Sequence, residues 1–310
     1  MDKKKIFIIL ILISISWIGN LIYYYSQQLS EPLFLNHYYE MTLDNDTSFD
    51  IYYLINKNKD IDLRWAEIPG IEDVKFELLE YDVETFNHQM LKRGRFKINI
   101  NAFKEVKLEE DKYIFNEIIA HFSNDEVKRV DIGKVIIYKE DSNNIESPII
   151  GRSSGSSSTN RQYRLFEANK PLTIMGFDYD LKKYLDGFLY IFLDYPQSRS
   201  NKLTEVENKE KNDSTKYKGD VEDLFSVDGV ELRQELFPIK LNKEENIIIN
   251  NRFYSKDNED ERRYNYYQIY ARLRVETEDG EEYIRDCEMH YNPYFDNSDI
   301  VSIIKERRGR

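Results

Sequence analysis

Gly151-Arg152-Ser153-Ser154-Gly155 has the G-x-S-x-G spacing with which hydrolases present a nucleophilic serine on a strand-to-helix turn. That chemistry needs a helix after the serine and a histidine base. Here Ser156 to Asn160 continue the polar stretch, and His290 is the only histidine downstream. The segment therefore reads as a flexible linker. Cys287 and His290 form a C-x-x-H pair of the kind used in thiol catalysis or metal binding. On a strand, residues three apart point to opposite faces, and a lone cysteine in an alternating strand packs as a small hydrophobe. His37, His88 and His121 are scattered, with no H-E-x-x-H or paired spacing, so the sequence assigns no zinc site.

Asp44, Asp46, Ser48 and Asp50 imitate the first oxygen positions of a calcium loop. Phe49 stands where that loop requires glycine and Ile55 where it requires glutamate, so a turn held by Asx hydrogen bonds accounts for the same letters. Asp257, Glu259, Asp260 and Glu261 read as a solvated charge run. No metal or cofactor is assigned to either place. The most suggestive surface lies on the run Tyr264 to Val275, where Tyr267, Ile269, Ala271, Leu273 and Val275 alternate as a core face. Tyr266, Gln268, Tyr270, Arg272 and Arg274 share the other face. Tyrosine beside arginine gives large contact area with polar ends, so Tyr266, Tyr270 and Arg272 are the candidate contact face.

The elements that must position these residues begin with Lys3, Lys4 and Lys5, followed by an apolar run from Ile6 to Tyr25. Twenty residues at ~1.5 Å each span a hydrocarbon core of ~30 Å. Lysines before a first span hold that end in the cytoplasm, so residues after Tyr25 are expected outside. Ser14-Ile15-Ser16 is the sole small-residue pattern resembling a signal cleavage site, and it lies inside the run, which favours an uncleaved anchor. Tyr23, Tyr24 and Tyr25 suit the outer membrane interface.

About 285 residues follow the span, enough for two domains. The net charge of −13 disfavours nucleic acid and anionic lipid surfaces. A single cysteine permits no internal disulfide, so the exported part must be held by its core. Only five alanines stand among abundant lysine, isoleucine, asparagine and tyrosine, the usage of an AT-rich, low-GC Gram-positive genome.

Short alternating runs predict strands. His37 to Leu43 and Ser48 to Asn56 are expected to form a hairpin across Asp44-Asn45-Asp46-Thr47, and Phe115 to Phe122 to pair with Val127 to Tyr138 across Asn124-Asp125-Glu126. Further runs at 61–66, 74–81 and 96–101 bring the first unit, residues 26–150, to about seven strands, the count of an immunoglobulin-like sandwich. Residues 151–162 are read as a polar linker and 163–310 as a second sandwich, with a mobile charged loop at 197–220. Asp180 to Leu185 predicts one helical turn. A short C-terminal helix follows, with Ser298 as N-cap and an Ile300, Ile303, Ile304 stripe.

Anchor, polar linker and two aromatic-rich sandwiches together resemble the single-pass, membrane-anchored envelope proteins of Bacillus-type Gram-positive bacteria. The hairpin ending Val130-Asp131-Ile132-Gly133-Lys134-Val135 and the run Phe237-Pro238-Ile239-Lys240-Leu241 share in that likeness. It implies an exported, anchored protein and carries over no activity and no functional residue.

The sequence thus predicts an all-β protein: an N-terminal transmembrane helix, a cytoplasmic tail of residues 1–5, two immunoglobulin-like β-sandwich domains and a short C-terminal helix. Its expected role is a non-enzymatic binding or accessory module of the cell envelope, with a membrane protein or cell-wall material as partner. An exported hydrolase or transferase acting on cell-wall material is the alternative, and two neighbouring carboxylates in a deep cleft would favour it.

Overall fold

The computed structural model describes residues 3–43, 47–69, 77–97, 112–139, 147–198, 229–254 and 260–309. Helix α1, Lys3–Ser26, contains the apolar run, and its most apolar stretch is wholly exposed. The rest is mostly β. Strands β1 (Leu33–Phe34), β2 (His37–Leu43), β3 (Ser48–Asn56), β4 (Leu63–Glu67), β5 (Glu77–Thr85), β6 (Gln89–Lys97), β7 (Lys112–Phe122) and β8 (Val127–Lys139) come first. Strands β9 (Ile149–Ser156), β10 (Arg161–Ala168) and β11 (Leu172–Asp178) precede the single turn α2 (Lys182–Leu185). Then come β12 (Leu189–Asp194), β13 (Val230–Glu231), β14 (Ile239–Leu241), β15 (Asn246–Phe253), β16 (Tyr266–Thr277), β17 (Glu282–Tyr291) and α3 (Asn297–Gly309).

Three sheets arise. One has the order β1-β3-β6-β5, a second β13-β12-β15-β10-β9, and the third, of eight strands, runs β14-β11-β16-β2-β8-β7-β4 with β17 also on β16. The third sheet is common to both halves of the chain. Its seam is the parallel register of β16 on β2, where Tyr266 pairs with His37, Tyr267 with Tyr38 and Gln268 with Tyr39. Strand β2 is in turn parallel to β8.

Because successive side chains on a strand point to opposite faces, the seam strands serve two cores at once. Tyr39, Met41 and Leu43 of β2, with Ile132, Val135 and Ile137 of β8, face the core shared with the four-stranded sheet. Ile136 and Tyr138 of β8 face the core shared with the five-stranded sheet. Tyr266 enters the first core while Tyr267 enters the second. The two sandwich-like layers are therefore fused through one sheet.

Several expectations are corrected. Strands β2 and β3 lie in different sheets, so they pack across a core and do not form a hairpin. The segment expected as linker contains β9, an edge strand paired with β10 from Ile149 to Ser156. Its Ser-Gly composition reflects exposure: only Ile149 is fully buried. The predicted loop at 197–220 lies, apart from Gln197 and Ser198, outside the described residues. The β7–β8 hairpin forms as expected, with Ile118, Ala120 and Phe122 buried.

Helix α3 is capped by Asp296, not by Ser298. The Asp296 carboxylate accepts from the N–H groups of Ser298 at 2.7 Å and Asp299 at 2.9 Å, and Asp299 accepts in return from the Asp296 N–H at 3.0 Å. This is a reciprocal capping box. The helix inserts Ile300, Ile303 and Ile304 into the first core.

Candidate functional site

The residues singled out from sequence do not converge. Ser153 shares its hydroxyl with Tyr163 at 3.1 Å, while His290 belongs to β17 in another sheet. Cys287 is 1% exposed, and burial pushes its thiol up to about 12, so it is a packed thiol; His290 faces outward. Asp44, Asp46, Asp257 and Glu259 lie outside the described residues. Asp50 is held bidentately by Arg95 at 2.8 and 2.9 Å. Asp260 accepts from the backbone and guanidinium of Arg262. Among the described residues, no group of three or more metal-ligating side chains forms.

The candidate contact face is divided. Tyr266 is 3% exposed, its ring stacked on Tyr52, so it is a core residue and not part of an open surface. Tyr270 and Arg272 are half-buried. Arg272 lies 4.5 Å above the Tyr138 ring and 3.7 Å from Asp180. The alternation was legible; the first core lying against one end of the strand was not.

Around that position stands a fixed histidine. His37 Nδ1 lies 3.2 Å from the Ile132 carbonyl and accepts nothing from it, so it carries the proton; Nε2 accepts from the Tyr52 N–H at 2.9 Å. Both ring nitrogens are satisfied by the neutral form. Burial lowers the imidazole pKa to about 3, against small opposing contributions from the Ile132 carbonyl and Asp50. Gly133 makes room for this strand: its φ is +100°, and a Cβ there would stand 2.3 Å from the His37 carbonyl oxygen.

Beside Arg272 lies a second buried group. Glu40 is 0% exposed, one carboxylate oxygen accepts from the Leu181 N–H at 2.6 Å, and the other has no partner within 3.5 Å among the described residues. Burial raises its pKa to about 7, Leu181 opposing and Asp180 reinforcing. Burial also raises Asp180, but Lys112, Tyr138 and Arg272 outweigh it and hold that carboxyl below its usual range. Asp180 is close enough to Glu40 to act on it electrostatically, yet Glu40 has no solvent contact through which a substrate would reach it.

An open site exists elsewhere, where the two halves meet. A pocket of about 250 Å³ is lined by Tyr39, Phe49, Asp50, Tyr52 and Arg95 of the first half and by Gln268, Glu288, His290 and Asn292 of the second. Tyr39 donates its hydroxyl to the Asp50 carbonyl at 2.9 Å. Glu288 accepts from Gln268 at 3.2 Å and lies 3.4 Å from Arg164. The open backbone edge of β17 is occupied by side chains of β10: Gln162 accepts from the His290 N–H at 3.0 Å and donates to its carbonyl at 2.5 Å, and Arg164 donates to the Glu288 carbonyl at 2.7 Å. These bonds fix the second-half wall of the pocket. Sequence reasoning missed the pocket because its residues come from five strands with no common motif.

No protein-family model matches this chain, and no curated protein matches it. Among solved structures, the C-terminal domain of the AgI/II polypeptide BspA of Streptococcus agalactiae aligns over 84% of this chain and 100% of its own, at 7% identity and a TM-score of 0.18. A likeness at that score carries no argument.

Proposed function

We propose that the protein is a single-span envelope protein whose exported β part binds a neutral, polyhydroxylated ligand of the saccharide class in the pocket between its halves. The pocket carries this reading. Its carboxylates are already balanced by guanidinium groups, Asp50 by Arg95 and Glu288 by Arg164, which removes the driving force for a strongly charged ligand. What remains is a rim of polar groups from Ser48, His290 and Asn292 beside the half-buried ring of Tyr52, one face of which is taken by Tyr266. A sugar offers a donor and an acceptor at each hydroxyl and an apolar ring face for an aromatic side chain, which matches both.

The arginine engagement of Asp50 and Glu288 supports binding over the exported hydrolase or transferase reading, because glycoside hydrolysis needs one carboxyl to give a proton and another to attack or activate water. The anchor reading is supported by α1, long enough to cross a bilayer and wholly exposed along its apolar stretch. The three lysines before it support a topology with the β part outside.

Titration of the full chain in nanodiscs with chitobiose and with maltotriose, followed by saturation-transfer NMR, tests the ligand class. Saturable binding of either sugar that weakens at least about tenfold in Arg95→Ala is expected, a loss of ~1.4 kcal/mol. Folded protein that binds neither sugar overturns it. Protease added to intact wall-stripped cells tests topology: residues beyond Tyr25 should be digested without lysis.

A further inference from the structure

The end of α1 is not joined to the β part by a free linker. Gln27, one residue past the helix, has its carbonyl held by the Gln89 side chain at 2.6 Å. Both backbone groups of Leu29 are taken by one side chain: Asn56 Oδ1 accepts from the Leu29 N–H at 2.8 Å and Nδ2 donates to its carbonyl at 2.7 Å. Leu29 itself is buried in the first core, and Glu31 pairs with Lys128 at 2.5 Å. Asn56 and Gln89 are 3% exposed, so these bonds are shielded from water.

The same region meets the helix from the side. Asn58 Nδ2 donates to the Tyr24 hydroxyl at 3.0 Å, and the His88 ring centroid lies 6.0 Å from that of Tyr23 and 5.6 Å from that of Tyr24. The β3–β4 and β5–β6 turns that carry Asn58 and His88 are tied by the Lys57 N–H, which donates to the His88 carbonyl at 2.9 Å. The Asn87 N–H donates to Asn297 Oδ1 at 2.8 Å, which adds the start of α3 to this end. Tyr294, three residues earlier, is 85% exposed.

Tyr23 and Tyr24 occupy the last turn of the apolar helix. If α1 spans, their rings lie in the interfacial layer, which is roughly 5–8 Å thick on each side of the hydrocarbon. Groups within about 6 Å of those rings must share it. From this geometry we propose that the 57–59 and 86–88 turns dock on phospholipid headgroups and that the clamp at Gln27 and Leu29 holds the β part at one orientation and height. Lys57 and Lys59 are exposed there and suit headgroup phosphates even though the chain as a whole is acidic.

Height follows from strand direction. Strand β3 descends toward this end and finishes at Asn56, so Asp50 stands six residues above it, roughly 20 Å at 3.3 Å per residue. The parallel strands β2 and β16 run the other way, which puts the turn after Thr277 farther out still. The ligand pocket is thereby held at a set distance from the bilayer and does not swing on a tether.

This inference rests on α1 spanning the membrane, and its test keeps the two apart. Because Cys287 is buried, a cysteine introduced at Lys59 or at Glu278 is the reactive thiol for an environment-sensitive fluorophore. Full-length Lys59→Cys and Glu278→Cys proteins are reconstituted in phosphatidylcholine–phosphatidylglycerol vesicles with and without a headgroup nitroxide lipid. The label at 59 should lose most of its fluorescence to the nitroxide and the label at 278 almost none. A ten-residue Gly-Ser insertion between Ser26 and Gln27, which leaves every clamp bond in place within the β part, should relieve most of the quenching at 59. Protein that fails to float with the vesicles overturns the span reading. Protein that floats with an unquenched label at 59, or with quenching unaffected by the insertion, overturns the docked clamp and leaves the span intact.

Discussion

Tyr52 and Tyr266 lie face to face, ring centroids 3.8 Å apart and planes within 2° of parallel, although 213 positions separate them in the chain. His37 extends the stack, its ring 5.4 Å from Tyr266 and 6.1 Å from Tyr52. The first residue of β16 thus completes the core of the half to which it does not belong in sequence. Strand β16 consequently ties the halves twice, by its backbone register on β2 and by this ring.

Changing Tyr266 to alanine should therefore destabilise the protein by about 3–5 kcal/mol, the cost of truncating a large buried aromatic. Tyr270→Ala and Arg272→Ala, at half-buried positions, should cost about 1 kcal/mol each. Chemical denaturation of the full chain distinguishes them. If Tyr266→Ala unfolds no more easily than Tyr270→Ala, the stack contributes little to stability.

Gly133→Ala offers a sharper case, since two penalties coincide. Alanine at φ +100° is strained, and its Cβ would press against the backbone of His37, which cannot rotate away as a flexible side chain would. A loss of more than ~2 kcal/mol is expected, seen as a lower denaturation midpoint. Gly187, also at positive φ but with nothing near its Cβ direction, should lose only the smaller strain cost on the same substitution.

Two buried groups at the seam, His37 and Glu40, make opposite demands on pH. His37 has its pKa lowered from 6.5 to about 3, so the folded state binds fewer protons than the unfolded one in between, and stability is lost as pH falls through that window. Glu40 has its pKa raised from 4.5 to about 7, so the folded state binds more protons there, and stability is lost as pH rises from 4.5 to 7. Each slope is ~1.4 kcal/mol per pH unit, so the two should cancel between pH 4.5 and 6.5. Glu40→Gln, which mimics the protonated acid, should remove one of them. Its stability should climb with pH across that window and exceed the parent at pH 8 by on the order of 3 kcal/mol, the full effect of the Glu40 shift. Denaturant midpoints at pH 4, 5, 6 and 8 provide the comparison, and parallel profiles for the two proteins would refute the assignment to Glu40.

What was legible in the sequence, and what was not, divides along a physical line. The N-terminal apolar helix, the β7–β8 hairpin and the alternation of β16 were readable because each is set by residues close in sequence: an apolar length, a tight turn, a period of two. The pairing of β2 was not. A parallel strand between β16 and β8 has no turn to announce its neighbours, and Glu40, polar and central, gives no hint that both faces of β2 are buried. Strand β9 was hidden for the opposite reason, since an edge strand exposed on most of its length needs no apolar pattern and Ser-Gly composition passes for a linker. The pocket inherits both difficulties, being assembled where such strands meet.

Helix α3 provides the last test of how far the halves depend on each other. Its isoleucines pack in the first core, Arg307 donates to Asn36 at 2.7 Å, and Asp299 pairs with Arg263 at 2.7 Å. Removing residues 297–310 strips three buried isoleucines from a core formed largely by residues 29–137, a region about 160 positions earlier. At roughly 2–5 kcal/mol for each deep truncation, the loss matches the whole stability of a typical domain. The first half should therefore lose its fixed packing, with collapse of amide dispersion for β3 and β6 in NMR spectra of the β part, while Asp296→Ala, which removes only the cap, should cost about 1 kcal/mol and preserve the spectrum. A truncated protein whose β3 and β6 resonances stay dispersed would show that the first core closes without α3.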